Sequence, residues 1–203
     1  MEQKVLKRLV VLISGILILS FGIALFIKAD LGCDPYTTFN IGVSDKLNFS
    51  FSLTQIGLNL LILIGIMFFD RTFINIGTLI SLFCVGPLIE GYGFLINLIL
   101  PGEYSLGFRV VLLMLGCTIV CLGVGLYIAS SLGTGPYDIL PLLIEKRKYL
   151  TYKWIRIILD VSCAVLGFLM GATVGIGTLI SALCLGPGIE FFRSLTIRYI
   201  LKN

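Results

Sequence analysis

The fifteen residues Ile76-Gly-Thr-Leu-Ile-Ser-Leu-Phe-Cys-Val-Gly-Pro-Leu-Ile-Glu90 return 100 positions later as Ile176-Gly-Thr-Leu-Ile-Ser-Ala-Leu-Cys-Leu-Gly-Pro-Gly-Ile-Glu190, identical at eleven of the fifteen. Unrelated apolar helices agree by chance at Leu and Ile, but here the agreement extends to Gly77, Thr78, Gly86, Pro87 and Glu90. Self-similarity at a fixed spacing marks a duplicated unit. Nearer the start of each half the spacing is 101: Arg8, Leu12, Gly15, Ile18, Gly22, Leu25, Ile27, Leu31, Gly32, Pro35 and Tyr36 fall on the same residue types at Arg109, Leu113, Gly116, Ile119, Gly123, Leu126, Ile128, Leu132, Gly133, Pro136 and Tyr137. The chain is thus read as two related halves, about 5–100 and 106–203.

The solvent of these halves follows from composition. Of the 203 residues 58% are hydrophobic and only 13% charged, with a mean hydropathy of +1.07, whereas a soluble domain carries about a quarter charged residues. Crossing a bilayer takes roughly 20 mostly apolar residues. Runs of that kind predict spans at 9–27, 53–69, 74–100, 110–128, 154–170 and 174–195, which use up most of the chain and make 1–203 a single membrane domain. The first run follows Lys4, Lys7 and Arg8 like a signal peptide. Its apolar core is too long for one, no small-x-small cleavage site follows, and it has a counterpart in mid-chain, so a retained helix is expected.

Lys and Arg beside the spans set the orientation, because basic residues are held on the cytoplasmic side. With the N-terminus inside, Lys4, Lys7, Arg8, Arg71, Lys146, Arg147, Lys148, Lys153, Arg156, Arg193, Arg198 and Lys202 fall inside, against Lys28, Lys46 and Arg109 outside, twelve to three. Both termini are therefore expected in the cytoplasm. Three spans per half is an odd number, so the second half enters the membrane upside down. The fold expected is an all-α integral membrane protein of about six transmembrane helices, arranged as two inverted three-helix repeats. A short extra helix follows the first span of each repeat, where a segment too polar to cross intervenes. Such repeats in many carriers hold the substrate near the midplane at their interface.

The chain contains no histidine, which removes the usual zinc ligand, the Ser-His pair and the near-neutral proton shuttle. No enzyme, metal, cofactor or nucleic-acid partner is expected, and the Gly-x-Gly-Asp pattern of intramembrane aspartyl proteases is absent. Cys84, Cys117, Cys121, Cys163 and Cys184 lie in apolar spans without CxxC spacing and read as small packing residues, with only Cys33 in a loop.

Three aligned pairs carry the candidate chemistry. Glu90 and Glu190 lie within the third and sixth spans, where an ionised carboxylate costs about 2.5–3.5 kcal/mol. Each follows a Gly-Pro, at Gly86-Pro87 and Gly186-Pro187, and proline weakens the helix ladder and frees carbonyls. Helix breaks beside acids make these candidate sites for a substrate or coupling ion; the alternative is that each glutamate bonds a hydroxyl or loop amide, or that Arg193 neutralises Glu190. The second pair is Leu31-Gly-Cys-Asp-Pro-Tyr36 and Leu132-Gly-Thr-Gly-Pro-Tyr-Asp138. Gly32 and Gly133 interrupt the chain, and Pro35 and Pro136 suit a first helical turn. Tyr36, Phe39, Val43 and Leu47 form a stripe predicting a helix laid against the bundle or dipping into it. The helix start faces either an anionic group on a substrate or its own acids, Asp34 as N-cap and Asp138 in the first turn. The third pair is Asn59 and Asp160, with Arg156 one turn before Asp160 as an ion-pair partner. Small residues at Ser20 and Ala24, aligned with Cys121 and Gly125 and continuing to Ala129, read as packing of one half on the other or as a homodimer face.

At Ile27-Lys-Ala-Asp-Leu-Gly32, Gly133-Thr-Gly-Pro-Tyr-Asp138, Gly175-Ile-Gly-Thr178 and both Gly-Pro-x-Ile-Glu segments the chain resembles the YczE/YyaS/YitT group of bacterial membrane proteins, over nearly its whole length. The resemblance implies a bacterial cytoplasmic-membrane location and a transporter-like role without a substrate. The first copy has Asp34 and Thr37 where the second has Gly135 and Asp138, so the two loops are not equivalent. The leading expectation is a small secondary carrier of an organic solute, in contact with lipid. The alternatives are a substrate-binding subunit of an ATPase-driven importer, although the first span lacks an Ala-xxx-Ala docking stripe, and an accessory protein that assembles another membrane complex.

Overall fold

The structure, a computed structural model, describes residues 2–102 and 104–201. They fold into α1 (Glu2–Ala29), α2 (Pro35–Leu47), α3 (Phe51–Phe69), α4 (Ile76–Ile99), α5 (Leu106–Ser130), α6 (Pro136–Lys146), α7 (Tyr152–Leu169) and α8 (Ile176–Thr196), with a 3₁₀ turn at Arg71–Phe73 and a π turn at Ile197–Leu201. Among the described residues five helices are long and apolar enough to cross a membrane: α1, α3, α4, α5 and α8, the last extended through its π turn. The sixth expected span, α7, carries Lys153, Arg156 and Asp160 and is not among the five. The short helices α2 and α6 stand where the sequence expects them.

Around an apolar core drawn largely from α1 and α5, many large apolar side chains are exposed and many polar ones buried. Phe68 is 84% exposed and Ile99 74%, while Asn40, Thr78 and Asp160 are fully buried. With lipid tails as solvent, apolar side chains gain nothing from hiding, whereas polar groups must find partners inside.

The contact at the centre of the bundle is backbone on backbone. An ideal Cβ on Gly123 would lie 2.4 Å from the Leu19 amide nitrogen, one on Gly15 2.7 Å from that of Tyr127, and one on Gly22 2.9 Å from that of Val120. As positions on α1 ascend, their neighbours on α5 descend, so these two sequence-equivalent helices are antiparallel. Glycine is required because any side chain would hold the axes apart. The stripe read as the contact between halves is corrected here: the position above Gly125 meets Phe192 and Arg193, and Cys121 lies against Gly188, so that stripe packs α5 on α8 of its own half. Ala24 lines a cavity together with Gly93 and Asn97 of α4.

Antiparallel packing puts the loops after α1 and α5 at opposite ends of the bundle, where each is held by the other half. The Gly177 amide donates to Leu31 O at 2.8 Å, and the Gly77 amide to Leu132 O at 3.0 Å. Gly32 and Gly133 there have φ of +97° and +114°, and Cβ atoms on them would strike Thr178 Oγ1 and the Thr78 amide. At one end Arg109 donates to Ala29 O at 2.8 Å and pairs with Asp30 at 2.7 Å; at the other Lys146 pairs with Asp70 at 2.7 Å and Arg193 with Glu145 at 3.8 Å. Arg193 therefore turns to Glu145 rather than to Glu190. Lys202 lies outside the described residues, as does the side chain of Lys4.

Other local expectations are corrected. Helices α4 and α8 run unbroken through Pro87 and Pro187; the Gly-Pro pairs serve close approach, Gly86 to Ser52 and Gly186 to the Lys153 carbonyl. In α2 the polar side chains of Thr37, Thr38, Asn40 and Ser44 are buried; of the predicted stripe, Tyr36 reaches into the bundle, Phe39 and Val43 are half-buried and Leu47 is exposed. Cys84 and Cys184 are exposed rather than packed.

Replacing Gly123 by Val should destabilise the purified protein by about 1–3 kcal/mol or more, the range of overpacking, and lower its thermal midpoint in detergent. Gly57→Ala, with nothing within 4 Å, should leave the midpoint unchanged or slightly raised. Equal behaviour of the two variants would contradict the α1–α5 contact.

Candidate functional site

Helices α2 and α6 both begin with proline at the first turn, preceded by Asp34 and Gly135 at the caps. Proline lacks the amide that a first turn leaves unbonded, so it starts a helix at no cost. These two starts meet inside the bundle: the Tyr36 and Tyr137 rings stack at 4.1 Å with 10° between their planes. Around the stack lies a cavity of about 60 Å³, walled also by Leu19 of α1, Ser81 of α4, and Val120 and Tyr127 of α5.

The stacked tyrosines make the same contact in each half. Tyr36 donates its hydroxyl to Asn59 Oδ1 at 2.9 Å, and Tyr137 donates to Asp160 Oδ1 at 2.6 Å. Both partners lie 23 residues on. A third equivalent pair, Gln55 and Arg156, also lines the cavity.

Charge breaks this symmetry. Arg156 Nε donates to both Asp160 oxygens at 3.0 and 3.1 Å, Nη1 donates to Asp138 Oδ1, and the guanidinium lies 4.8 Å over the Tyr137 ring. Arg156 is 4% exposed and Asp160 not at all, so this residue, counted among the cytoplasmic charges from sequence, belongs to the interior. Isolated, each ion would be expensive in such surroundings; mutual hydrogen bonding makes the group tolerable.

Asp34 is placed differently. Its Oδ2 accepts the Thr37 amide at 3.1 Å as the N-cap of α2, so that helix start is occupied by the chain's own acid. Its Oδ1 is buried and has no hydrogen-bond partner among the described residues; the same holds for Gln55 Oε1 and Tyr127 OH, and all three residues line the cavity. Beside them Gly135 leaves a gap. A Cβ there would stand 3.5 Å from Asp138 Oδ2 and 3.7 Å from both Ser81 Oγ and Tyr127 OH, a small space ringed by oxygen.

Of the residues singled out from sequence, Asp34, Tyr36, Asn59, Gly135, Pro136, Tyr137 and Asp138 line this cavity, and Asp160 backs it through Tyr137 and Arg156. Glu90 and Glu190 do not line it. Glu90 is exposed and its Oε1 accepts the Ser52 amide at 3.0 Å, holding the start of α3, while Glu190 is exposed on α8. Gln55, Ser81 and Tyr127 were not singled out. Gln55 carried a signal, a polar residue in an apolar span 101 positions before Arg156; Tyr127 carried none. Among the described residues no group of three or more His, Cys, Asp or Glu is placed to hold a metal ion.

Residues 6–194 match the model of a family described as a family of unknown function, DUF6198. The chain is similar to the Uncharacterized membrane protein YczE of Bacillus subtilis, with 27% identity over 201 residues, 98% of this chain and 92% of that protein. It is likewise 27% identical to an uncharacterized protein of Haemophilus influenzae over 195 residues, 95% of this chain and 86% of that one. To the uncharacterized protein YyaS of Bacillus subtilis it is 27% identical over 189 residues, 93% of this chain and 94% of that one. No solved structure matches.

Arg156→Met leaves Asp138 and Asp160 buried without their cation and should cost about 3–5 kcal/mol. The triple variant Arg156→Met/Asp138→Asn/Asp160→Asn should recover much of that loss, read as thermal midpoints in detergent. A single variant as stable as the parent would contradict the ion group.

Proposed function

The chain belongs to DUF6198, and for this member we propose a small secondary carrier of the bacterial cytoplasmic membrane whose transport site is the cavity between α2 and α6. In this reading α7 is the sixth span and its charges face the cavity. The halves are inverted three-helix repeats with both termini in the cytoplasm, consistent with the excess of Lys and Arg at that surface. The observation that carries the proposal is the meeting of two interrupted helices, N-terminus to N-terminus, around buried polar atoms that lack partners. Discontinuous helices at a repeat interface are how many carriers bind substrate near the midplane.

A cavity of about 60 Å³ holds a few water-sized bodies, and an organic solute does not fit in the conformation described. Admission of a solute then requires one half to rock against the other, parting the Tyr36–Tyr137 stack and exposing Asp34, Asp138 and Arg156 to one side at a time. Glu90 is assigned to anchoring α3. An enzyme has no place in this reading: the buried acids are engaged with Arg156 or with a helix start.

The test is reconstitution. Purified protein in liposomes, offered a panel of amino acids, nucleobases, sugars, amines and carboxylates under a proton or sodium gradient, should accumulate at least one of them. Asp34→Asn should reduce that uptake to background while leaving α2 capped, since Asn caps a helix as well as Asp does. Folded protein that moves none of the panel under either gradient would overturn the proposal.

A further inference from the structure

Three carboxylates, Asp34, Asp138 and Asp160, gather where the structure supplies one guanidinium. The starts of α2 and α6 add the positive ends of two helices, each worth roughly half an elementary charge. With the acids ionised, the site is short of about one positive charge. The shortfall falls in the first half, where Gln55 occupies the position equivalent to Arg156, so that a neutral amide stands where the second half has its cation.

The atoms left without partners are of the matching kind. Asp34 Oδ1 and Gln55 Oε1 are acceptors and Tyr127 OH accepts or donates; these residues are 5%, 5% and 1% exposed and line one cavity. Asp138 Oδ2 and Ser81 Oγ border the gap left by Gly135. Carboxylate, carbonyl and hydroxyl oxygens are the ligands of hard cations. The space, about 60 Å³, suits a metal ion with one or two waters. With Asp138 already paired with Arg156, the unpaired donors are one carboxylate and neutral oxygens, a set that fits a monovalent ion rather than a divalent one.

We infer that the cavity between α2 and α6 is a binding site for a sodium-sized monovalent cation, held by Asp34 and Gln55 with Tyr127 and the oxygens beside Gly135, and serving as a movable counterpart to the fixed charge of Arg156. This deepens the carrier reading, since it concerns the same cavity and names its coupling ion.

The test is equilibrium binding of radioactive sodium to the purified full chain in detergent, with choline chloride holding ionic strength constant. The expected result is saturable binding of one ion per chain, weakened at least about tenfold by Asp34→Asn. Gly135→Ala should weaken it as well while keeping every charge, because its methyl fills the oxygen-ringed gap without a clash; it decides the matter should Asp34→Asn fail to fold. No saturable binding by folded wild-type protein, or binding undiminished in whichever variant folds, would overturn the inference. Sodium binding without flux of any solute would keep this site and remove the carrier. Flux driven by protons in protein that binds no sodium would keep the carrier and remove this site.

Discussion

The close approach of α1 and α5 is the constraint from which the rest of the architecture follows. With glycine at 15, 22, 116 and 123 the two backbones meet without side chains between them, and in lipid such contact replaces the hydrophobic drive that packs helices in water. Because the approach is antiparallel, each loop that follows one of these helices emerges at the opposite end from its counterpart. Each then meets the first turn of the long helix that closes the other half. The bonds from Gly177 to Leu31 and from Gly77 to Leu132 are this arrangement in hydrogen bonds, and they aim α2 and α6 back into the bundle instead of along its surface.

From that aim comes the site. Two helices entering from opposite ends, each started by proline, converge on stacked tyrosines, and the polar side chains of α3 and α7 reach them from outside. The halves are alike in their hydrogen bonds and unlike in charge: Asn59 and Gln55 in one, Asp160 and Arg156 in the other.

Much of this was legible in the residues. The Gly-x-x-Pro-Tyr loops predict the short helices α2 and α6, and the residues aligned within apolar spans, Asn59 and Asp160, are the hydrogen-bond partners of Tyr36 and Tyr137. From sequence Arg156 counts both among the cytoplasmic charges and as the partner of Asp160; the pair is present, and Asp138 of α6 joins it in the interior. The stripe of Tyr36, Phe39, Val43 and Leu47 predicts a helix against or into the bundle; it does not predict that Thr37, Thr38, Asn40 and Ser44 are buried too. Glu90 drew notice by its depth along a span, but depth does not tell which side of the helix faces the interior. Facing depends on crossing angles and neighbours that a single chain's pattern leaves open.

The measurement that bears most directly on antiparallel halves is the sidedness of two loop positions. In a functional background without native cysteines, single cysteines at Asp30 and at Ser131 are exposed to a membrane-impermeant maleimide in intact cells and again after permeabilisation. Halves that run in opposite directions require Asp30→Cys to label in intact cells and Ser131→Cys only once the membrane is opened. Labelling of both from the same side would contradict the arrangement and, with it, the meeting of α2 and α6 at a shared cavity.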